Sequence, residues 1–363
     1  MADTRTPPSR TLRFGEALPF LHPASNRNDQ FAMGSLAGRF VMICAIKDID
    51  TPEARAALAA IPRDPRHETN RLLAIFSAGQ TNAELEALGA NRLIFNDAAI
   101  GDALGLFDPR EPAGRWLLFD PTLRVLAVWP LADADAALRV FDAAPSPDQH
   151  SGAGNAPVLI APNVFEREFC TRLIEYYRTQ GARPSGITQQ DASGRTFVAL
   201  DDSFKRRNDC LVDDAALREA IMQRIYWRLS PMIERAFMWR ATRMERYLIP
   251  CYDAETQGFF KPHRDNTTHG TSHRRFAVTI NLNAGDYEGG DLRFPEFGSR
   301  TYRAPTGGAV VFSCGLLHEA TPVTKGERYA FLPFLYDDEA AKVREANNQY
   351  LDETLQHYRN EQN

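Results

Sequence analysis

A histidine and an aspartate two residues apart, His263 and Asp265, are residue types that could hold a metal ion. On an extended segment, side chains at i and i+2 point to the same face, so an imidazole and a carboxylate at this spacing converge. A second histidine, His318, follows Asp265 by 53 residues, just beyond the strand-like run GAVVFS. Two histidines and one carboxylate form the facial triad that binds Fe(II) and leaves coordination positions open. Taken alone, His-x-Asp also occurs by chance as an exposed polar pair.

An arginine near the second histidine supports the metal-site interpretation. Arg328 lies ten residues after His318 and begins the strand-like run RYAFLPFLY. A guanidinium stays charged and can pair with a carboxylate through two hydrogen bonds. It would therefore anchor the far end of a dicarboxylate whose other end binds the metal. Lys325 is the competing anchor, but TKG is typical of a turn, which would direct the lysine to solvent.

The sequence around these residues resembles a known family. The segments HRD, NLNAGDYEGGDLRFPEFG and GGAVVFSCGLLHEATPVTKGERYAF are similar to the 2-oxoglutarate- and Fe(II)-dependent oxygenases of the prolyl 4-hydroxylase-like group. The resemblance covers roughly residues 155–336. It implies that His263, Asp265 and His318 bind Fe(II) and that Arg328 binds 2-oxoglutarate, these four residues being the catalytic set. O₂ is the implied second cosubstrate, and ascorbate the supporting reductant.

Family members usually add a tyrosine hydroxyl to the 2-oxoglutarate carboxylate, about nine residues before the first metal-binding histidine. Tyr252 lies eleven residues before His263, so CYDAETQGFFKPH fits this pattern with two extra residues, and Tyr247 is the competing candidate. Thr279 and Asn281 lie on the polar face of the alternating run FAVTINLN. Either that face lines the barrel and contacts cosubstrate or substrate, or it is the solvated side.

Other polar residues in this half are predicted to lie outside the metal site. His269 and His273 occupy a Gly/Ser/Thr-rich stretch without a carboxylate at i+2, so we expect lid or substrate-loop residues, or plain surface residues. The loops 182–212 and 264–274 are predicted to determine substrate choice. Within the first, KRRND (205–209) could attract an acidic group at the site mouth, but the sequence favours a solvated basic turn.

The reaction implied by the resemblance is a hydroxylation. A C–H bond of a peptide or protein side chain, prolyl among them, or of a small molecule would gain a hydroxyl, with succinate and CO₂ as co-products. The carboxylate of Asp265 favours hydroxylation over halogenation, because related halogenases have a small residue at this position. The substrate itself is not encoded in the motif, since one fold and metal centre serve many substrates.

The first half of the chain has a different pattern. Strand-like runs such as RFVMICAI, RLLAIFS and RWLLFDP alternate with helix-like runs such as TPEARAALAAI, which predicts an α/β domain. The segments LAGRFVMICAIKDIDTPEA and RWLLFDPTLRVLAVWPL resemble the peroxiredoxin-like branch of the thioredoxin fold.

This resemblance lacks its reactive residue. Active peroxiredoxins follow the strand with a proline, a threonine and, three residues later, the peroxidatic cysteine. Here Thr51 is retained, but Lys47 replaces the proline and Ala54 stands in place of the cysteine. Peroxidase chemistry requires a thiolate, so the domain is predicted to be a scaffold, a dimerisation surface or a recruiter of substrate. Cys44, inside a strand, is predicted to be a buried structural thiol.

These patterns predict a two-domain α+β protein. A thioredoxin-like α/β domain is followed by a double-stranded β-helix (jelly-roll) domain with flanking helices. The Pro/Gly/Ser/Asn-rich run APSPDQHSGAGNAP marks the boundary. The predicted limits are residues 1–145 for the first domain, 146–157 for the linker, 158–336 for the jelly roll and 337–363 for a C-terminal helix, with further helices at 165–181 and about 214–238.

Composition narrows the partners. The 363 residues carry a net charge of −5 at a pI near 6.0, which predicts no binding to nucleic acid or anionic membranes. No signal peptide or run of about 18 apolar residues occurs, so a cytoplasmic protein is expected. The expected partners are a peptide, protein or small-molecule substrate, and a homodimer is considered. Two alternative functions stay open: a thiol redox protein acting through Cys44, and a non-catalytic binding module.

Overall fold

The computed structural model describes residues 11–63, 70–150, 152–191, 193–353 and 355–359. The chain divides into two compact units. The first comprises Met1–Gly154 and Pro295–Ser299, and the second comprises Asn155–Phe294 and Arg300–Asn363. None of the described helices is both long and apolar enough to cross a bilayer.

The first unit contains a five-stranded sheet in the order β3-β2-β1-β4-β5. Strands β1, β2 and β3 are parallel, whereas β4 pairs antiparallel with β1 and β5 antiparallel with β4. Every residue of β1, including Cys44, is buried. This is typical of a central strand that is covered on both faces. The strands are β1 Phe40–Ile46, β2 Arg71–Ser77, β3 Leu93–Asn96, β4 Gly114–Phe119 and β5 Val125–Pro130.

Four helices accompany this sheet. They are α1 Pro52–Ala60, α2 Ala83–Gly89, α3 Ala98–Ala103 and α4 Ala134–Asp142, with 3-10 turns at Met33–Leu36, Leu131–Asp133 and Pro147–Gln149. Helix α1 begins as predicted, because the Thr51 side chain accepts a hydrogen bond from the Ala54 amide and Pro52 occupies the first turn. Ala57 and Leu58 of α1 pack with Phe141 of α4 in one hydrophobic core.

Part of the predicted linker belongs to the first unit's ordered structure. Ser146 caps the 3-10 turn that follows it. The Asp148 carboxylate accepts a hydrogen bond from the Ser299 amide. His150 is buried, with its Nε2 3.2 Å from the Glu296 carbonyl oxygen. The division between the units falls after Gly154, while the domain limits given above stay a prediction.

The second unit is rich in sheet, which agrees with the predicted jelly roll. A nine-stranded sheet contains the path β12-β23-β15-β22-β13-β11-β7, with β19 pairing β15 and β6. A five-stranded sheet has the order β10-β14-β20-β17-β18, and β8-β9 and β16-β21 form two-stranded ladders. The described strand pairings in this unit are antiparallel, and an isolated parallel bridge joins Thr196 and Leu351.

These strands are short. They are β6 Leu159–Ala161, β7 Arg183–Pro184, β8 Ile187–Gln190, β9 Thr196–Ala199, β10 Lys205–Arg206, β11 Asn208–Leu211, β12 Arg243–Glu245, β13 Leu248–Asp253, β14 Phe259–His263, β15 Phe276–Asn281, β16 Glu288–Gly289, β17 Leu292–Arg293, β18 Thr301–Tyr302, β19 Ala309–Ser313, β20 His318–Ala320, β21 Val323–Lys325, β22 Glu327–Phe331 and β23 Phe334–Tyr336.

Helices of the second unit supply the other layer of its core. They are α5 Arg167–Gln180, α6 Ala215–Arg224, α7 Ser230–Phe237 and α8 Asp338–Ala346, with a π-helical turn at Ile225–Leu229 and 3-10 turns at His269–Thr271 and Asn347–Tyr350. The 3-10 turn Pro295–Phe297 belongs to the first unit. Leu173 and Ile221 share a hydrophobic cluster with Val278 and Ile280 of β15. The predicted helix near 214–238 is thus confirmed as α6, the π-helical turn and α7 in succession.

The prediction of one C-terminal helix over 337–363 is wrong. Helix α8 and the 3-10 turn after it end before Leu351, whose backbone is extended at φ −85° and ψ 142°. The Asn348 side chain holds both the amide and the carbonyl of Tyr358, at 2.9 and 2.6 Å. Such side-chain to backbone bonds compete with helix formation. Residues 354 and 360–363 lie outside the described part of the chain.

Candidate metal centre

Two neighbouring strands bring the predicted metal-binding histidines together. His263 ends β14 and His318 begins β20, and the antiparallel register places these two residues directly opposite each other. Residues opposed in an antiparallel ladder have adjacent side chains, and here the imidazole centroids are 4.3 Å apart. Strand pairing therefore joins residues that are far apart in sequence.

Asp265 completes the cluster. One carboxylate oxygen lies 3.6 Å from His263 Nε2 and the other 3.3 Å from His318 Nε2. All three candidate ligand atoms lie within 4.8 Å of one another, and no second such cluster of His, Cys, Asp or Glu occurs among the described residues. The donor set and its spacing fit one cation with the two-histidine, one-carboxylate pattern.

Hydrogen bonds orient both rings for ligation. His263 Nδ1 lies 2.8 Å from the Lys261 carbonyl oxygen, and His318 Nδ1 lies 3.0 Å from the Leu316 carbonyl oxygen. A proton on Nδ1 that is donated to a carbonyl leaves the Nε2 lone pair free for a metal. In both rings Nε2 is the nitrogen nearest Asp265.

Electrostatics favour the metal-binding protonation states. Burial lowers the pKa of His318 to about 4, so this imidazole is neutral near neutral pH. Burial by itself would raise the pKa of the Asp265 carboxyl. In acid, however, where His318 is protonated, the charge of His318 and the hydrogen bond from His263 hold the Asp265 pKa well below its usual value, so Asp265 is a carboxylate near neutral pH. A carboxylate facing neutral imidazoles is the form that coordinates a cation.

The backbone of Asp265 is fixed on both sides. Its amide donates to the Cys314 carbonyl oxygen at 3.0 Å, and its carbonyl accepts from Arg274 Nη1 at 3.3 Å. Arg274 Nε in turn donates to the buried Glu245 carboxylate at 2.6 Å. Arg274 and Glu245 were not predicted from the sequence. The helical and strand periods of the sequence around these two residues do not show which distant residues pair.

The two loop histidines differ from each other. His269 is exposed and its ring stacks on Tyr350 with centroids 4.2 Å apart, in agreement with a surface position. The surface prediction for His273 is wrong: it is 1% exposed, and its Nε2 lies 2.7 Å from the Glu245 carboxylate. The carboxylate that keeps it buried comes from β12, 28 residues away. Neither histidine belongs to the metal-ligand cluster.

Arg328 lies beside Tyr252 rather than Tyr247. Tyr252 of β13 pairs directly with Arg328 of β22, both are buried, and the guanidinium carbon lies 5.0 Å from the Tyr252 ring centroid. The Tyr247 ring instead packs near Phe331 in the core that faces the helices, under the guanidinium of Arg218. Lys325 is exposed and pairs with Glu288, which confirms its predicted solvent-facing position.

Buried polar atoms at Arg328 have no hydrogen-bond partner among the described residues. Arg328 Nε and the Tyr287 hydroxyl are buried and lack hydrogen-bond partners in the described part of the chain. Gly290, at φ 68°, lies against this side chain, and a Cβ there would come within 2.9 Å of Arg328 Cδ. Buried polar atoms in native proteins are nearly always hydrogen-bonded, to protein, water or a ligand, and a carboxylate is an acceptor that both donors could bind.

A further arginine reaches the same tyrosine. Arg207 Nη1 donates to the Tyr252 hydroxyl at 3.2 Å, and Arg207 Nε lies 2.7 Å from the Asp209 carboxylate. Lys205 Nζ lies 4.7 Å from the Phe260 ring centroid, and the Phe260 ring stacks on His263.

The prediction of a solvated basic turn at 205–209 is therefore wrong. Lys205 and Arg207 are 4% and 8% exposed, while Arg206 and Asn208 face solvent. This alternation is the two-residue period of a strand. KRRND therefore has the alternation of a strand. Because all five residues are polar, the sequence pattern is interpreted as a solvated turn.

The solvated-face alternative for Thr279 and Asn281 is also wrong. Both are buried, on the face of β15 opposite Val278 and Ile280, which lie in the hydrophobic core. Asn281 Nδ2 donates to the Ala304 carbonyl oxygen at 2.7 Å, so part of this amide has a structural role. Contact of either residue with a cosubstrate stays a prediction.

Comparison with known proteins agrees with this site. The 2OG-Fe(II) oxygenase superfamily model matches residues 247–336. A PKHD-type hydroxylase from Pseudomonas fluorescens is 35% identical over 184 residues, which cover 48% of this chain and 75% of that protein. This chain belongs to the 2OG-Fe(II) oxygenases of the PKHD-type hydroxylase family. The match to a Cupriavidus metallidurans relative is 34% identical over 95 residues, 23% of this chain and 42% of that protein.

The family is one of oxidoreductases that hydroxylate, and it implies Fe(II), 2-oxoglutarate and O₂ as cofactor and cosubstrates. Its match includes the residues of the metal cluster and Arg328. For several relatives, the chain spans only about two fifths of their length, 39% for two Synechococcus proteins and 42% for the Cupriavidus protein.

Solved structures show weaker likenesses. A Pseudomonas putida prolyl-4-hydroxylase aligns at 18% identity and TM-score 0.38, covering 50% of this chain and 92% of that one. A putative protein disulfide isomerase from Bacteroides thetaiotaomicron aligns at 15% identity and TM-score 0.30, covering 36% of this chain and 87% of that one. TM-scores below 0.5 do not establish a common fold.

Proposed function

We propose that this protein hydroxylates a C–H bond of a peptide or protein side chain, prolyl among the candidates, or of a small molecule. The reaction would consume 2-oxoglutarate and O₂ and release succinate and CO₂. This proposal rests on the His263, Asp265 and His318 cluster together with the buried Arg328, whose Nε has no partner in the described part of the chain. Phe260 connects them, because its ring stacks on His263 and packs against the cluster that contains Tyr252, the neighbour of Arg328.

Each residue has a separate task in this proposal. Iron, when bound, supplies the redox chemistry by which 2-oxoglutarate and O₂ oxidise a C–H bond. His263 and His318 hold the metal through Nε2, and Asp265 holds it through its carboxylate. Arg328 anchors the distal carboxylate of 2-oxoglutarate, with the Tyr252 hydroxyl beside it. Thr279 and Asn281 are weaker candidates for cosubstrate contact.

For the first unit we propose a peroxiredoxin-like, non-catalytic scaffold in a cytoplasmic protein. Its order β2-β1-β4-β5, with β1 and β2 parallel and the others antiparallel, supports the thioredoxin-like assignment. The thiol redox alternative has little support, because Cys44 is 0% exposed and burial raises its pKa far above the usual value. The intact metal cluster counts against a non-catalytic binding module.

Anaerobic reconstitution tests the enzymatic proposal. The protein should bind one equivalent of Fe(II) and convert 2-oxoglutarate to succinate in the presence of O₂. Mass spectrometry of candidate substrates should then detect the gain of one oxygen atom. A protein that binds no iron, or that forms no succinate with any substrate pool, would return the binding-module alternative.

A further inference from the structure

One arginine next to the proposed site has an unusual backbone and lacks an acidic partner. Arg246 connects β12 to β13, is partly buried, and has a φ of 67°. This left-handed conformation is unfavourable for residues with a Cβ, and such strain is concentrated at functional sites. The guanidinium carbon lies 5.2 Å from the Phe334 ring centroid. Across the described ranges, its guanidinium forms no hydrogen bond or ion pair.

The surroundings of Arg246 are positively charged. Arg274 lies over the same Phe334 ring, at 4.0 Å. Burial and the charges of Arg274 and Arg207 lower the pKa of Arg246 to about 10, so the side chain is still charged at neutral pH. The charges of Asp209 and Glu245 oppose this shift but do not cancel it. A partly desolvated cation beside like charges is unfavourable unless an anion joins it.

The acidic residues around Arg246 in the described part of the chain already have other partners. Asp209 is paired with Arg207 at 2.7 Å. Glu245 accepts from Arg274 at 2.6 Å, and His273 and Arg344 contact its other oxygen. Asp265 belongs to the metal cluster. Among the described residues, no carboxylate is left to pair directly with Arg246, which favours an anion from a bound molecule.

In the proposed function, 2-oxoglutarate is not the anion that pairs with Arg246. One end of 2-oxoglutarate would bind the metal, and its distal carboxylate would bind Arg328 beside Tyr252. Contacts connect Arg246 to the metal cluster: Arg246 and Arg274 share the Phe334 ring, and Arg274 donates to the Asp265 carbonyl oxygen at 3.3 Å. An anion at Arg246 would therefore be connected to the metal cluster through Arg274 without competing for the proposed cosubstrate positions.

Building on the proposed hydroxylase function, we propose that Arg246 binds an oxyanion, carboxylate or phosphate, carried by the substrate. The substrate is then an acidic molecule whose oxidised C–H bond lies on the metal side of its anionic group. A guanidinium suits this task because it pairs with either oxyanion through two hydrogen bonds.

A thermal unfolding experiment tests the site without a known substrate. Protein saturated with Mn(II) and 2-oxoglutarate is titrated with inorganic phosphate or acetate, against sodium chloride at equal ionic strength. The better-fitting anion should raise the Tm by about 3 °C at tenfold its Kd. Arg246→Met should lose this shift. If the Arg246→Met variant does not fold, Arg246→Gln is used in its place, with the same expected loss. Arg243→Met is the matched control, because Arg243 lies in β12 and already pairs with Asp338.

Two results of the titration would overturn the assignment: no shift with either anion in the wild type, or the same shift in the Arg246 variant. Loss of the shift in the Arg243 control as well would show a general charge effect, which also overturns it. A wild-type protein that binds neither Mn(II) nor 2-oxoglutarate would contradict the proposed function instead.

Turnover connects this site to the substrate. Two pools of capped random peptides, identical except that glutamate in one is glutamine in the other, are compared for succinate formation with Fe(II) and 2-oxoglutarate. The glutamate pool should be preferred by about tenfold in the wild type, as expected for one charge-assisted pair. Arg246→Met should lose the preference. Equal succinate formation with the two pools in the wild type would overturn an acidic substrate.

Discussion

In each unit, the family that the sequence resembles has reactive side chains in a segment next to a strand. The two segments differ in whether those side chains are present. In the first unit, β1 leads to Thr51 and helix α1, and the position expected for a cysteine holds the buried Ala54. In the second unit, β14 leads to His263 and Asp265, and both remain within reach of His318. Both units have the strand and the segment that follows it, but within the described residues the cluster of candidate metal ligands lies in the second unit.

The difference shows how to separate structural from chemical residues. Thr51 accepts a hydrogen bond from the Ala54 amide, so it caps a helix whether or not a thiol follows. Its presence therefore says nothing about peroxidase chemistry. No comparable structural explanation covers the metal cluster, because burying a carboxylate without a compensating cation is costly. The residues without a structural reason identify the functional unit.

The largest effect is expected from Asp265→Ala, which removes the charged member of the metal cluster. Loss of the partners around a ligand typically costs 10–100-fold in metal affinity, so loss of the ligand itself should exceed about 100-fold. Iron binding and succinate formation should both fall. Asp202→Ala, at an exposed position, is the control. Unchanged iron binding in Asp265→Ala would show that Asp265 is not a metal ligand. The stated difference between the two units would then no longer hold.

Arg328→Ala should weaken 2-oxoglutarate binding by about 1.5–3 kcal/mol, the range for a hydrogen bond to a charged group. The measurement is the KM for 2-oxoglutarate, with iron content determined in parallel, because metal binding does not depend on this residue. Lys325→Ala is the matched control, since Lys325 is the nearby cation that faces solvent. An unchanged KM in Arg328→Ala would place the cosubstrate anchor elsewhere.

The extent to which the site could be predicted follows from the range of the interactions involved. His263 and Asp265 are two residues apart, and His318 and Arg328 are ten apart, so short spacings with a strand pattern identify them. Arg207 and His273 are buried because their partners, Tyr252 and Glu245, arrive from 45 and 28 residues away. The alternation in KRRND is a local signal for a strand, but it does not show that the charged side chains are buried.

The elements of the fold were likewise predictable where they depend on local sequence and not where they depend on distant contacts. The alternation of strands and helices in the first unit and helix α1 with its cap were predictable, because apolar periodicity and capping are local properties. The end of helix α8 was not. The apolar spacing of Leu351 and Tyr358 continues the helical pattern, but contacts of Asn348 with the Tyr358 backbone take precedence over it.

A smaller effect separates the two candidate tyrosines. Tyr252→Phe should weaken 2-oxoglutarate binding by about 0.5–1.5 kcal/mol, the usual contribution of one hydrogen bond. Tyr247→Phe should leave it unchanged, since the Tyr247 ring packs in the core near Phe331. Direct titration of 2-oxoglutarate into the anaerobic Mn(II) form of each variant measures the difference. The reverse order of effects would reassign the contact to Tyr247.

The smallest effect on turnover is expected from Cys44→Ala, which tests the first unit. Cys44 lies in the fully buried β1, and burial raises the pKa of its thiol, so almost no thiolate forms near neutral pH. The variant should keep the wild-type rate of succinate formation. In the native wild-type protein, iodoacetamide should leave Cys44 unmodified, whereas the denatured protein should react, as peptide mass spectrometry can show. Rapid labelling of native Cys44 together with consumption of added peroxide would mean that the first unit has kept a reactive group of its own.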